Sequence, residues 1–201
     1  MSRKRIRVDG EQSRGKILAA SVRLATVEGI ERLSLARLAA ETGMSKSGVF
    51  GLFGSKQVLQ LATIDAAREI FIAEVIAPAL DRELGREQLL ALCEGFLDYI
   101  ARRQWPEGCF FASVAAEVGA GDGPLRDRVA EGQKEWVGLL AYNARRAIEG
   151  GQLAGASDPD GIALELSTML TGIDIAYLLH RDAELLERVR LIIRERLEEG
   201  T

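Results

Sequence analysis

Residues 34–56 read SLARLAAETGMSKSGVFGLFGSK, and this stretch contains two short helical patterns separated by a glycine turn. Leu35, Leu38 and Ala39 recur at helical spacing and are expected on the inner face of the first helix. The small Ala39 suits a close crossing of two helices. Gly43 stands where that helix would end, because glycine adopts the left-handed conformation without a Cβ penalty. The pattern predicts a helix-turn-helix, although an ordinary helical hairpin has the same spacing.

The second half of the stretch predicts a second helix with one apolar side and one open side. Ser45 is expected to cap its start, because a serine hydroxyl accepts a free amide two or three residues further on. Val49, Leu52 and Phe53 then pack against the first helix. Small and polar residues on the open side permit close approach to base edges and phosphates. We predict DNA contacts from Ser34, Arg37, Ser45, Lys46, Ser47, Gly48, Phe50 and Lys56.

The charge of the chain is divided unevenly along its length. The 201 residues include 26 basic and 30 acidic residues, with a net charge of −4. Residues 1–60 hold eleven of the basic and five of the acidic residues, whereas the rest is strongly acidic. Phosphates attract local positive charge over about one Debye length, so the overall acidity does not exclude DNA. The amino-terminal part is therefore the predicted DNA-binding end.

Four basic residues stand ahead of the first helical pattern, which we place at 12–28 with Gly29 at its end. They are Arg3, Lys4, Arg5 and Arg7. We predict that residues 1–10 form a flexible basic arm that lies along phosphates or enters a minor groove. A solvated tail without a partner remains an equal alternative.

Composition favours an all-α fold. Helix-forming residues are abundant, only 4 of 201 residues are proline, and no strand-like alternation extends beyond a few residues. The first residues lack a secretory apolar core, and no 18-residue span lacks charge, so we expect a cytoplasmic protein. Cys93 and Cys109 form no CxxC site; we expect buried free thiols, with a redox pair as the alternative.

Residues 12–60 resemble the DNA-binding domain of the tetracycline-repressor (TetR) family of transcriptional regulators. The similarity rests on Gly29, Ser34, Ala39, Gly43, Ser45, Phe50 with Phe53, and Ser55-Lys56. It implies a DNA-binding regulator, most often a repressor that occludes a promoter. Members usually carry a phosphate-contacting tyrosine at the position of Phe50, and some carry a base-contacting arginine at that of Ala36. Arg37 is a candidate replacement for that arginine.

The remaining sequence predicts a larger helical domain. We place a helix-turn-helix domain at 11–56 and a helical ligand-binding and dimerisation domain at 57–201, joined by a long helix that Ser55 caps. Five further helices follow this long helix, which makes about nine helices in all. A small-molecule effector is expected to bind among them and to change the spacing of paired reading helices.

Aromatic residues and a few polar residues of this domain are the predicted pocket, although plain core is the commoner role for each of them taken singly. They are Phe96, Tyr99, Trp105, Phe110, Phe111, Trp136, Tyr142, Met169, Asp174 and Tyr177.

The helix at 162–180 is apolar nearly all round, which indicates burial on two sides and hence a homodimer. The predicted dimer contacts are Leu164, Ile173, Leu186, Val189, Ile193 and Leu197. A monomer that buries both faces internally is the alternative.

Catalysis is not indicated by the sequence. His180 is the only histidine, so neither a Ser-His-Asp set nor a metal site with metal-ligand spacing is predicted, and no cofactor is expected. Glu117, Glu165 and Asp174 are carboxylates without a partner set for acid–base chemistry. The alternative to a regulator is a helical ligand-binding or adaptor protein that has lost specific DNA contact.

Overall fold

The computed structural model describes residues 3–102, 108–153 and 155–199. Within these ranges the chain is entirely helical and contains ten α-helices and one π-helical turn. The α-helices are α1 Arg3–Glu28, α2 Leu35–Thr42, α3 Lys46–Phe53, α4 Lys56–Phe71, α5 Ala77–Leu80, α6 Arg86–Ala101, α7 Phe110–Val118, α8 Pro124–Glu149, α9 Pro159–His180 and α10 Ala183–Glu199, and the π-helical turn is Ile72–Ile76.

The predicted all-α architecture is confirmed, and the helix count agrees when continuous segments are taken together. Phe71 and Ala77, which flank the π-helical turn, both have right-handed helical backbone angles. Helix α4, the turn and α5 therefore form one helical rod, and the described ranges contain nine rods. Five of them follow the long rod, as the sequence predicted.

The basic segment at the amino end differs from its prediction. Helix α1 begins at Arg3, so the segment predicted as a flexible arm is helical from Arg3 onward. No proline interrupts residues 3–28, and Gly10 and Gly15 lower helix propensity without ending a helix. The basic residues of this segment contain no cap or turn residue that would distinguish a helix from a coil.

The chain divides into two compact units. Unit 1 comprises Met1–Glu69 and Trp105–Val129, and unit 2 comprises Ile70–Gln104 and Ala130–Thr201. In unit 1, helix α1 packs against α2, α3 and α7. Its largest fully buried side chains come mainly from α1, the α1–α2 loop, α2 and α4: Ile17, Leu24, Ile30, Leu33, Leu38, Leu59, Ile64 and Phe110. Unit 1 thus extends beyond the predicted 11–56 domain, because α7 packs on α1.

In unit 2, helices α6, α9 and α10 pack against one another. Gly95 of α6 allows a close approach to the π-helical turn, since a Cβ there would lie 3.2 Å from the Val75 carbonyl oxygen. Asp98 and Arg190 form an ion pair of 2.8 Å between α6 and α10. By length and composition α9 is apolar enough to cross a membrane, but its Leu166 side packs in the core of unit 2.

Glycine at the α2–α3 turn provides a test of the backbone argument. Gly43 has φ +68°, and a Cβ there would meet no atom within 4 Å, so Gly43→Ala adds backbone strain alone. We expect urea denaturation to show a loss of about 1–2 kcal/mol in the free energy of unfolding. The matched control is Gly51→Ala in α3, which also meets no atom and should stabilise by about 0.5–1 kcal/mol. Equal signs for the two variants would contradict the assignment of the turn.

Candidate nucleic-acid interface

Helix α2 begins and ends as its sequence predicts. The Ser34 hydroxyl accepts a hydrogen bond from the Arg37 backbone N–H at 3.1 Å, which caps the first turn. At the other end Gly43 is left-handed, with φ 68° and ψ 18°, and its N–H donates to the Ala39 carbonyl. Met44 N–H donates to the same carbonyl at 3.1 Å. The chain therefore turns sharply before α3 with its backbone groups paired.

Helix α3 presents an apolar inner face and an exposed outer face. Ser45 caps it by accepting the Gly48 N–H at 3.1 Å, which confirms the predicted cap. Val49 and Phe53 are at most 4% exposed. They occupy the side that packs in unit 1, where α3 contacts α1 and α2. Phe50 on the other side is 58% exposed.

The outer surface at the start of α3 is small, polar and cationic. Lys46 and Ser47 are exposed, and the Ser47 hydroxyl lies 3.3 Å from that of Ser45. A Cβ at Gly51 would meet nothing within 4 Å, so the helix backbone is open to a ligand there. At the other end of α3, the Arg14 guanidinium lies 5.4 Å from the centre of the ring of the inner-face residue Phe53, within range for a cation–π contact. Sequence spacing gave no sign that Arg14 would lie beside α3.

Arg37, a predicted DNA contact, is paired with carboxylates of its own unit. Its guanidinium nitrogens lie 2.7 Å from Glu28 and 2.9 Å from Glu41, and Arg23 pairs with Glu41 as well. The hydrogen bonds that Arg37 donates to Glu28 and, with a smaller effect, to Glu41 raise the pKa of Arg37. The hydrogen bond from Arg37 lowers the pKa of Glu41. Arg37 therefore ties α2 to the end of α1.

Lys56 is likewise committed within unit 1. Its Nζ donates to the Glu31 backbone carbonyl, while the preceding Ser55 hydroxyl accepts the Val58 N–H at 3.2 Å and caps α4. Lys56 remains exposed at the surface. Of the predicted contact residues, Lys46, Ser47 and Phe50 are thus the most available, and Ser34 and Ser45 serve as caps.

An aromatic cluster occupies the interior of unit 2. Phe71 makes edge-to-face contacts with Phe96, Tyr99 and Trp136, at ring-centre distances of 6.1, 5.6 and 5.3 Å. The structure therefore brings three predicted pocket residues together. Phe71 was missed, because it lies at the end of a helix that the sequence marked as a connector.

The other predicted pocket residues do not share that cluster. Phe110 and Phe111 contact each other in unit 1, at 5.3 Å between ring centres. Asp174 is 3% exposed, whereas Tyr142 is 49% exposed and lies on the surface. Met169 and Tyr177 are half-buried. Trp105 lies outside the described residues.

The predicted dimer contacts require a correction. Ile173, Leu186, Ile193 and Leu197 are at most 5% exposed within a single chain, so they form its core and have no surface for a partner. Val189 is half-buried, and Leu164 is 63% exposed. The exposed apolar residues of α9 and α10 are Leu164, Ile175, Leu179, Leu191 and Ile192. Helix α9 is apolar nearly all round, so the pattern did not separate its outer side from its inner side, whereas the stripe predicted on α10 is the one that packs in the core.

Neither thiol lies at the surface. Cys93 and Cys109 are both buried, and burial raises the pKa of Cys93 to about 12, which disfavours the thiolate. Among the residues that the structure describes, no group of three or more His, Cys, Asp or Glu side chains is placed to hold a metal ion.

The fold and the α2–α3 arrangement define a helix-turn-helix DNA-binding protein with a second helical domain. Residues 17–63 match the family model "Bacterial regulatory proteins, tetR family", and residues 85–193 match "Tetracyclin repressor-like, C-terminal domain". The second match spans more than half of the chain. The chain belongs to the TetR family of transcriptional regulators, whose members combine a DNA-binding and a ligand-binding domain.

Relatives and solved structures agree with this assignment. The chain is 27% identical over 164 residues to the HTH-type transcriptional regulator LmrA of Bacillus subtilis (strain 168), covering 77% of this chain and 87% of LmrA. A TetR transcriptional regulator from Chloroflexus aurantiacus J-10-FL has the same fold, with a TM-score of 0.85, 24% identity and coverage of 95% and 97%. AibR, solved with isovaleryl coenzyme A and operator DNA, has a TM-score of 0.72, 20% identity and coverage of 92% and 97%.

The carboxylate contacts of Arg37 predict an altered titration of Glu41. In Arg37→Gln the strongest hydrogen bond to the carboxylate is lost, so the pKa of Glu41 should rise toward its ordinary value of 4.5. Carbon-detected NMR titration of the Glu41 side chain measures this change. Arg23→Gln is the control and should produce the smaller rise. A larger rise in the control would show that Arg23, not Arg37, holds Glu41.

Proposed function

We propose that this regulator binds operator DNA as a homodimer, represses transcription in the cytoplasm and is released by a small-molecule effector. The observation that carries the DNA-binding part is the open outer face of α3. That face presents Lys46, Ser47 and Phe50 on a helix whose position is fixed by the Ser45 cap and the left-handed Gly43. A helix of this kind fits the major groove with its first turns toward base edges.

The composition of α3 supports close contact with DNA. Gly48 and Gly51 add no bulk, and Phe50 offers an apolar ring of the kind that contacts a thymine methyl group. Lys46 supplies a charge for a phosphate. The positive charge is limited, since carboxylates of unit 1 already hold Arg37. We therefore expect shape and apolar contacts to contribute to sequence choice.

The exposed apolar stripe on α9 and α10 supports a homodimer. Leu164, Ile175 and Leu179 recur on one side of α9, and Leu191 and Ile192 are exposed on the neighbouring α10. A twofold axis along this surface would pair α9 and α10 with their copies in a four-helix bundle. Pairing matters for function because two recognition helices about 34–36 Å apart read successive turns of the major groove.

The aromatic cluster of unit 2 supports an effector site. Phe71, Phe96, Tyr99 and Trp136 form an apolar surface, and the buried Asp174 of the same unit is a polar group of the kind that orients a ligand. AibR was solved with both isovaleryl coenzyme A and operator DNA, so a protein of this fold accommodates both kinds of partner. An effector that favours one arrangement of the helices by a few kcal/mol would shift operator affinity.

The alternative is a ligand-binding or adaptor protein without specific DNA contact, and Phe50 favours it because phenylalanine has no hydroxyl for a phosphate. In vitro selection from a random-sequence duplex library distinguishes the two functions. A regulator should enrich pseudo-palindromic duplexes that it binds in gel shift in preference to scrambled ones. Failure to enrich any sequence, with purified dimer present, would favour the adaptor.

A charge-removal experiment tests the α3 surface. Lys46→Ala should lower the magnitude of the log Kd against log salt slope by about 0.9 for each protomer on the duplex. Fluorescence anisotropy with a selected duplex, measured between about 50 and 200 mM salt, gives the slope. Lys134→Ala, an equal charge change at an exposed position of α8, is the control and should leave the slope unchanged. Equal salt slopes for the two variants would show that Lys46 does not contact the DNA.

A charge placed in the apolar stripe tests the dimer. Ile175→Glu sets like charges against each other across the proposed twofold axis, and we expect at least about a hundredfold weaker dimerisation. Sedimentation velocity measures the proportion of the 21.9 kDa monomer. Val58→Glu is matched in exposure, at 50% against 51%, and should leave the dimer intact. A dimer that tolerates Ile175→Glu would place the interface elsewhere.

A further inference from the structure

The loop that joins α1 to α2 is gripped by one carboxylate of α7. The backbone N–H of Ile30 donates to Glu117 Oε2 at 2.7 Å, and the next N–H, of Glu31, donates to Glu117 Oε1 at 2.8 Å. Both oxygens of a single carboxylate thus hold two successive amides. Hydrogen bonds to an ionised acceptor are shorter and stronger than bonds between neutral groups.

The carbonyl groups of the same two residues are held from α4. Gln60, which is 6% exposed, donates its Nε2–H to the Ile30 carbonyl at 2.8 Å, and Lys56 donates to the Glu31 carbonyl. Side chains from α7 and α4 therefore pair all four backbone polar groups of Ile30 and Glu31. A loop of this length has no helical ladder of its own, so these contacts determine its position.

Gly29 makes room for the carboxylate. Its φ is +90°, and a Cβ at this position would lie 2.9 Å from Glu117 Oε1 and 3.2 Å from the carboxyl carbon. Any other residue would meet both a strained backbone and the Glu117 carboxylate. The glycine that ends α1 thus also opens the site into which Glu117 reaches.

We infer that Glu117 is a positioning residue for DNA binding: it fixes the α1–α2 loop and, through it, the start of α2. Leu33, which is fully buried, and the Ser34 cap follow the gripped residues directly, and α2 packs against α3. Displacement of the loop would therefore move α2 and, with it, α3. Glu117 falls in the stretch matched by the C-terminal family model, yet the amides that it binds belong to the α1–α2 loop of unit 1. The inference rests on the proposed function for its DNA measurement.

The test separates the hydrogen-bond geometry from the charge. Glu117→Gln retains one acceptor but turns an NH₂ group toward the second amide, whereas Glu117→Asp keeps the charge and shortens the side chain by one methylene. Glu69→Gln, at an exposed position of unit 1, is the control for the loss of one negative charge near DNA. Affinity is measured for a duplex obtained by in vitro selection and for a scrambled duplex, at a temperature where every variant is folded by circular dichroism.

We expect Glu117→Gln to bind the selected duplex about tenfold more weakly than Glu69→Gln, and Glu117→Asp to bind it more weakly than the wild type. Affinity for the scrambled duplex should change little, because that binding is mainly electrostatic. Amide hydrogen exchange at Ile30 and Glu31 should become about tenfold faster in both variants, with Leu38 in α2 unchanged.

Other outcomes overturn the inference in distinguishable ways. Tighter binding by Glu117→Gln with wild-type binding by Glu117→Asp would show that Glu117 acts only as a charge near phosphates. Equal loss of affinity for selected and scrambled duplexes would show a general structural role without positioning. Unchanged amide exchange rates at Ile30 and Glu31 would show that Glu117 does not hold these two amides in place. A wild-type protein that selects no duplex would contradict the proposed function, while the exchange measurement would still test the grip.

Discussion

The DNA-binding surface depends on the crossing of α2 and α3, two helices of eight residues each. Helices this short are not stable alone, so their positions come from packing and from satisfied ends. Leu38 and Ala39 of α2 are buried, and the left-handed Gly43 turns the chain between the helices. The serine caps pair amides that would otherwise need water. With the inner face fixed in this way, the outer face of α3 is left for a ligand.

Electrostatics of the amino-terminal unit are more balanced than the charge count indicates. The sequence places eleven basic residues in the first 60, but carboxylates hold Arg37 and Arg23, and a backbone carbonyl holds Lys56. Such exposed pairs add little stability, yet they decide which cations face solvent unpaired. Arg14, Lys16, Arg32 and Lys46 are the other exposed cations of this segment whose side chains the structure describes. This arrangement favours DNA binding that relies on the fit of α3 in the groove as well as on electrostatic attraction to phosphates.

Backbone signals in the sequence predicted the fold well. Glycine turns and serine caps located α2 and α3, and Asp158-Pro159 marked the start of α9, where the Asp158 carboxylate accepts the Gly161 N–H at 2.9 Å. These signals are local, since each depends on residues within one turn. The basic segment at the start of α1 carried no such signal, and its helix was missed.

Contacts between distant residues were not predictable from spacing. Arg37 pairs with Glu41 at i,i+4 spacing within α2, but its other partner, Glu28, belongs to α1 and becomes its neighbour only in the folded chain. Glu117 lies 86 and 87 residues from the amides that it binds, and only the fold brings it there. On α10 the apolar spacing marked Leu186 and Ile193, but spacing alone could not show that they pack in the core of their own chain and not against a partner.

Two copies of α3 are proposed to enter the major groove of one duplex, and methylation interference can detect both contacts. Methyl groups at guanine N7 project into the major groove, whereas those at adenine N3 project into the minor groove. Two recognition helices should give two clusters of interfering guanines, with centres about 10–10.5 base pairs apart or a multiple of that distance. A single cluster, or interference confined to adenine N3, would contradict it.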